Sequence, residues 1–140
     1  MKVSVLEQDQ VSILKKVYEE HRRIIVAFDF DNTVFDYHNV GLDCSPIVDI
    51  LHECQSLGFP LICFTSNVGD RLVFIKHYLK EVLRFKKSIV INGDVIALHV
   101  SSKVSNYTKP YANIYLDDKA GLKESYNNLK EIIKYTSEVK

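Results

Sequence analysis

Apolar residues recur along the chain with two periods, and the switches between them mark out the elements. Val11, Leu14, Val17, Tyr18 and His21 stand at helical spacing, which predicts an amphipathic helix over 8–22. Ile24-Ile25-Val26-Ala27-Phe28 then runs as five consecutive apolar residues, mostly β-branched or aromatic, the pattern of a strand buried on both faces of a parallel sheet. After a mixed loop over 35–41, Ser45 at the N-cap and Pro46 at the first helical position open a second helix. Its apolar face is Ile47, Leu51, Cys54 and Leu57, and Gly58 is its stop. A short strand follows over 60–64, then a helix from Asp70 to about Arg84 with Leu72, Ile75, Leu79 and Val82 inward. A third strand covers 88–91, and Asn92-Gly93 turns the chain into an apolar run over 95–100, a β-hairpin signal. Residues 101–110 read as polar loop, 112–116 as another strand, and 120–136 as a helix with Leu122, Tyr126, Leu129 and Ile133 on one side. No repeat, low-complexity segment or linker interrupts the series. One domain over 1–140 is expected, with the N-terminal helix inside 1–22 and a core over 24–136.

Strands alternating with helices predict an α/β domain whose main sheet is largely parallel. Right-handed crossovers would bring the strand ends at Asp29, Thr65 and Asp117 to one edge of that sheet. This is the edge where ligands bind in open α/β sheets.

The first strand runs directly into Asp29-Phe30-Asp31-Asn32-Thr33. A carboxylate at the end of a buried strand is costly unless a cation or hydrogen bonds compensate it. Three readings compete. Asp and Asn serve turns at solvated strand ends. A calcium loop of EF-hand type also begins with acids at alternate positions, but its sixth position should be Gly and is Val34, and its twelfth should be Glu and is Val40. The third reading is a nucleophilic carboxylate beside an acid/base carboxylate around a divalent metal. Convergence of three strand ends favours the third.

Composition narrows the partners. The chain is 46% hydrophobic and 26% charged, as a soluble globular protein is. Eighteen basic and eighteen acidic residues cancel, so nucleic acid is not favoured by any global field, although a local patch is compatible with the balance. The first residues lack the apolar core of a signal peptide and no apolar run approaches 18 residues, so no membrane span is expected. Cys44, Cys54 and Cys63, odd in number and without a Cys-x-x-Cys pair, read as free thiols in a reducing cytoplasm.

Taken together, these residues resemble the haloacid dehalogenase (HAD) superfamily of phosphotransferases. Its first motif, Asp-x-Asp-x-Thr/Val after an apolar strand, is matched by Asp29-Phe30-Asp31-Asn32-Thr33. Its second, a Thr or Ser closing the next apolar strand, is matched by Thr65, with Ser66 a neighbouring candidate. Its third, a Lys, is matched by Lys109 just before the last motif strand, with Lys103 as rival and Lys76 more distant. Its fourth, an acidic pair ending that strand, is matched by Asp117-Asp118. The resemblance covers 24 to about 125.

The resemblance implies a Rossmann-like three-layer sandwich around a mainly parallel sheet, and a phosphomonoester hydrolase using Mg²⁺. Asp29, the backbone carbonyl of Asp31, and Asp118 would be metal ligands, with Asp117 holding the metal shell. Asp29 would attack phosphorus and form an aspartyl-phosphate. Asp31, its proton held by neighbouring carboxylates, would protonate the leaving oxygen and then deprotonate a water. Thr65, Ser66, Asn67 and Lys109 would bind the phosphoryl group.

Spacing implies that no cap domain is inserted. Thirty-one residues separate Thr33 from Thr65, enough for a loop and a helix, and 43 separate Thr65 from Lys109. An open site suits a large phosphorylated substrate, or a cover borrowed from another subunit in an oligomer. Plainer readings stand beside these: Asp117-Asp118 as a helix cap, Thr65 as a turn residue, Arg71 and the loop 35–38 as surface or substrate contacts, and Phe64 and Tyr115 as core. The alternative function is a catalytically silent HAD-like module that binds a metal or a partner. A phospho-receiver domain is disfavoured, because its acidic pair lies on the first strand and this chain closes with acids.

Overall fold

The computed structural model describes residues 2–92 and 110–139. Among these residues four helices and a four-stranded, all-parallel sheet make an α/β fold compatible with a Rossmann-like one. The strands are β1 (Val26–Asp29), β2 (Leu61–Phe64), β3 (Val90–Ile91) and β4 (Ile114–Leu116). The helices are α1 (Gln10–His21), α2 (Ser45–Ser56), α3 (Asp70–His77) and α4 (Leu122–Glu138). Each expected strand and helix among these residues is present, trimmed or shifted by a few residues at its ends. The expected hairpin over 95–100, with Gly93, Lys103 and Lys109, lies outside the described residues.

Local chemistry explains the boundaries. Asp9 caps α1 by accepting from the Val11 N–H. The second helix starts differently from the expectation: Cys44 is the N-cap, without a side-chain bond, and Ser45 is already helical, because Pro46 can occupy either of the first two helical positions. Its end follows the expected logic. Gly58 adopts φ +79°, its N–H donates to Gln55 O, and the Phe59 N–H donates to Cys54 O, a Schellman closure. α3 continues into a π-helical turn, Tyr78–Val82, before the chain enters β3.

The sheet order is β3-β2-β1-β4. The chain therefore steps outward from β1 to β3 and then returns to the other side of β1. Strand order reverses at β1/β4, and a crevice at such a reversal is where open α/β sheets place their ligands. Strand period divides the side chains by face. Val26, Phe28, Leu61, Cys63, Ile114 and Leu116 join Leu14 of α1, Leu51 of α2, Ile75 of α3 and Leu129 of α4 in one large core. The opposite face carries Ala27 and Phe64 with Ala112, flanked by Ile25, Ile62 and Tyr115. All four helices contribute to the first face, so among the described residues the expected three-layer sandwich is a sheet with one helical layer. No helix among them is long and apolar enough to cross a membrane. All three cysteines are free thiols, Cys54 and Cys63 buried.

Candidate active site

Register places the first acidic residues. Phe28 pairs with Leu116 across β1/β4, so Asp29 and Asp117 are the next residues on neighbouring parallel strands. One carboxylate oxygen each from Asp29, Asp117 and Asp118 lie within 4.8 Å of one another. Like charges at that separation repel by about 3–4 kcal/mol per pair at an effective dielectric near 20. Burial, then the adjoining Asp118 carboxyl and the charges of Asp117 and Asp118, push Asp29 up to about 7, against the pull of the Phe30 N–H that donates to its Oδ1 at 3.0 Å. Asp118 Oδ1 is buried with no hydrogen-bond partner. Hard carboxylate oxygens with an unsatisfied lone pair are the donor set a divalent cation takes. The three aspartates could therefore hold a metal ion.

Asp31 stands apart from this cluster. A tight turn follows β1, in which the Thr33, Val34 and Phe35 N–H groups all donate to Phe30 O, at 3.4, 3.1 and 3.2 Å. Asn32 sits there at φ +61°, a conformation Asn tolerates better than most residues. The turn carries the Asp31 side chain to Arg71, whose Nη2 donates to Oδ1 at 2.6 Å, and to Asn67, whose Nδ2 lies 3.3 Å from Oδ2. The expectation that carboxylates would crowd Asp31 is thus corrected: they crowd Asp29, and Asp31 faces a cation and an amide. No side-chain oxygen of Asp31 joins the acidic cluster.

Arg71 was legible in the sequence only as a surface or substrate-contact residue. Its guanidinium is packed against four rings, 5.8 Å from Phe30, 5.3 Å from Phe35, 5.4 Å from Tyr37 and 4.9 Å from Phe74. Phe35 also stacks on Phe30 at 5.3 Å and meets Tyr78 edge-on. The loop after the first motif is therefore fastened to α3 through rings and one cation. Its far end is closed by Asp36, which accepts from the Val40, Gly41 and Leu42 N–H groups.

Thr65 is buried, one residue beyond β2, with its hydroxyl oxygen accepting from both the N–H and the side-chain amide of Asn67. Its main chain is held by Asn92, the residue after β3. The Asn92-Gly93 pair predicts a turn, and the φ of +55° at Asn92 agrees with it, but no local pattern announces the work of the Asn92 side chain. Ser66 is exposed on the same loop. Thr33, the motif's threonine, is buried with its hydroxyl oxygen unpaired. Tyr115, expected in the core, is only partly buried, and its hydroxyl donates to Pro110 O at 2.6 Å, fastening the chain entering β4. Lys109 and Lys103 lie outside the described residues.

No protein-family model, curated protein or solved structure matches the chain.

Proposed function

We propose that the chain is a capless, HAD-like phosphomonoester hydrolase that uses Mg²⁺ and works through an aspartyl-phosphate on Asp29. The observation that carries this reading is the meeting of Asp29 with Asp117 and Asp118 at the β1/β4 reversal, with a buried Asp118 oxygen left unpaired. Asp29, Asp118 and the Asp31 carbonyl would hold the ion, and Asp117 would steady them. When bound, Mg²⁺ would offset the repulsion between a phosphate dianion and the Asp29 carboxylate.

The chain's own groups then divide the work. Asp29 attacks phosphorus in line, and the ester oxygen leaves with a proton from Asp31. Asp31 afterwards takes a proton from the water that hydrolyses the acyl phosphate. The Thr65 hydroxyl and neighbouring backbone N–H groups, together with Lys109, hold the equatorial oxygens. Only a loop, α2 and β2 separate the first motif from Thr65, which supports an open site for a phosphorylated substrate, small or macromolecular; the free thiols fit a reducing cytoplasm as the place of action.

One observation favours the catalytically silent alternative: the 2.6 Å ion pair with Arg71 occupies the carboxylate that should exchange protons. The deciding experiment is hydrolysis of an aryl phosphate with and without Mg²⁺, beside Asp29→Asn. Metal-dependent turnover lost in the variant supports the hydrolase. Turnover that survives the substitution at full strength sinks it, and no turnover on a broad phosphoester panel with Mg²⁺ binding retained supports the silent module.

A further inference from the structure

The chain's zero net charge conceals a local segregation away from the acidic cluster. Between residues 76 and 87 stand Lys76, Lys80, Arg84, Lys86 and Lys87, against Glu81 alone. Folding gathers four of them around one concavity. Lys76 and Lys80 project from the end of α3 and its π-helical turn, and Lys86 and Lys87 from the segment that enters β3 at its amino-terminal end. They line a cavity of about 330 Å³ floored by Leu79, Phe85, Ile89 and Ile91. Phe85 is fixed in place by stacking on His52 at 4.2 Å, so the floor is preformed.

Among the described residues none of these four lysines forms an ion pair. Among the same residues their one hydrogen bond from an ammonium is the long one, 3.5 Å, from Lys87 to Gln55 O. Uncompensated like charges around a concave, low-dielectric wall focus a positive potential and draw in anions. The kind of anion follows from the lining. The cations are ammonium groups, which bind phosphate oxygens as point charges, and four of them spread around one groove match a run of singly charged phosphodiesters. Exposed Arg84, next to Phe85 in sequence, adds a fifth positive charge to the same segment, which fits a polymer of phosphates better than a single one. A concavity of this size takes a flexible single strand, whose backbone can follow a positively charged groove, and not a duplex.

We propose that this groove binds single-stranded nucleic acid through its phosphodiester backbone. The inference is independent of the hydrolase reading, since the groove shares no residue with the acidic cluster.

The test is fluorescence anisotropy of a labelled oligothymidylate with the full chain. Three to four phosphate contacts predict a loss of affinity of about 20- to 50-fold between 50 and 200 mM salt. The pair Lys80→Glu with Lys86→Glu should weaken binding at least tenfold, and the milder Lys80→Gln with Lys86→Gln should weaken it in the same direction. The control pair Lys123→Glu with Lys134→Glu, exposed on α4, should leave it unchanged. No binding at 50 mM salt overturns the proposal. So does an equal loss in the control pair, which would mean diffuse charge. Capture of a phosphopeptide or polyglutamate but not of the oligonucleotide overturns it in favour of an acidic protein partner.

Discussion

Asn92 and Thr65 exchange two hydrogen bonds of 2.7 Å: the Thr65 N–H donates to Asn92 Oδ1, and Asn92 Nδ2 donates to Thr65 O. A side-chain amide here takes the place of a further rung between β2 and β3, just where both strands have ended. The consequence is a fixed main chain under the hydroxyl that the proposed mechanism uses. Asn92→Ala should leave both main-chain groups of Thr65 unpaired and cost about 2–3 kcal/mol. A fall in the urea midpoint at unchanged m-value would register it, and a loss below 0.5 kcal/mol would show that the pair is dispensable.

Asp29 makes stability depend on pH. Its folded value, about 7, lies above its usual 3.8, so between those values the folded chain holds the proton more tightly than the unfolded one. The unfolded state then binds fewer protons, and stability falls as pH rises through this window and levels off above it. The full difference corresponds to about 4 kcal/mol. Asp29 is only half-buried, and solvent screening reduces this to on the order of 1–2 kcal/mol. Thermal unfolding in a chelator at pH 5 and pH 8 should show the fall. Millimolar Mg²⁺ should remove most of it if the three aspartates hold the ion.

Asp29→Asn should divide stability from activity. Removing one of three crowded charges should raise the melting temperature in chelator at pH 8, while turnover of an aryl phosphate is lost. A variant destabilised at pH 8 would mean that repulsion among Asp29, Asp117 and Asp118 is not the dominant local force.

Arg71 and Asp31 should be energetically coupled. The pair is partly buried, with side-chain exposures of 29% and 23%, and short at 2.6 Å. The guanidinium also rests on rings. A double-mutant cycle using Arg71→Met and Asp31→Asn is expected to give a coupling of about 1–2 kcal/mol. A value near zero would identify the contact as a solvated pair with no hold on the carboxylate.

Gly58 offers a clean backbone test. A Cβ added there meets nothing within 4 Å, so only its φ of +79° opposes a side chain. Gly58→Ala should cost about 1 kcal/mol in equilibrium unfolding, through strain at the end of α2 alone.

Much of this architecture is legible in the sequence. The apolar run 24–28, the Pro46 and Gly58 signals around α2, and the periodic faces of α1, α3 and α4 each express short-range sterics and burial, which a sequence states openly. The acidic pair at 117–118 announced itself in the same way, because charges rarely end a buried strand without a reason. Asn92, Arg71 and the partners of Asp31 did not. Their roles depend on residues 27 and 40 positions away, and nothing in a local pattern of Asn-Gly or of an exposed Arg records such a distance.

By itself, then, the sequence determined the elements, their parallel order and which acids could meet, since periodicity, turn chemistry and chain handedness act locally. Tertiary structure decided how those acids were shared out. The β1/β4 register set Asp29 among like charges, while the turn after β1 swung Asp31 away to a ring-bound guanidinium. Both outcomes follow from long-range pairing, whose energy arises only once distant strands and helices have closed together.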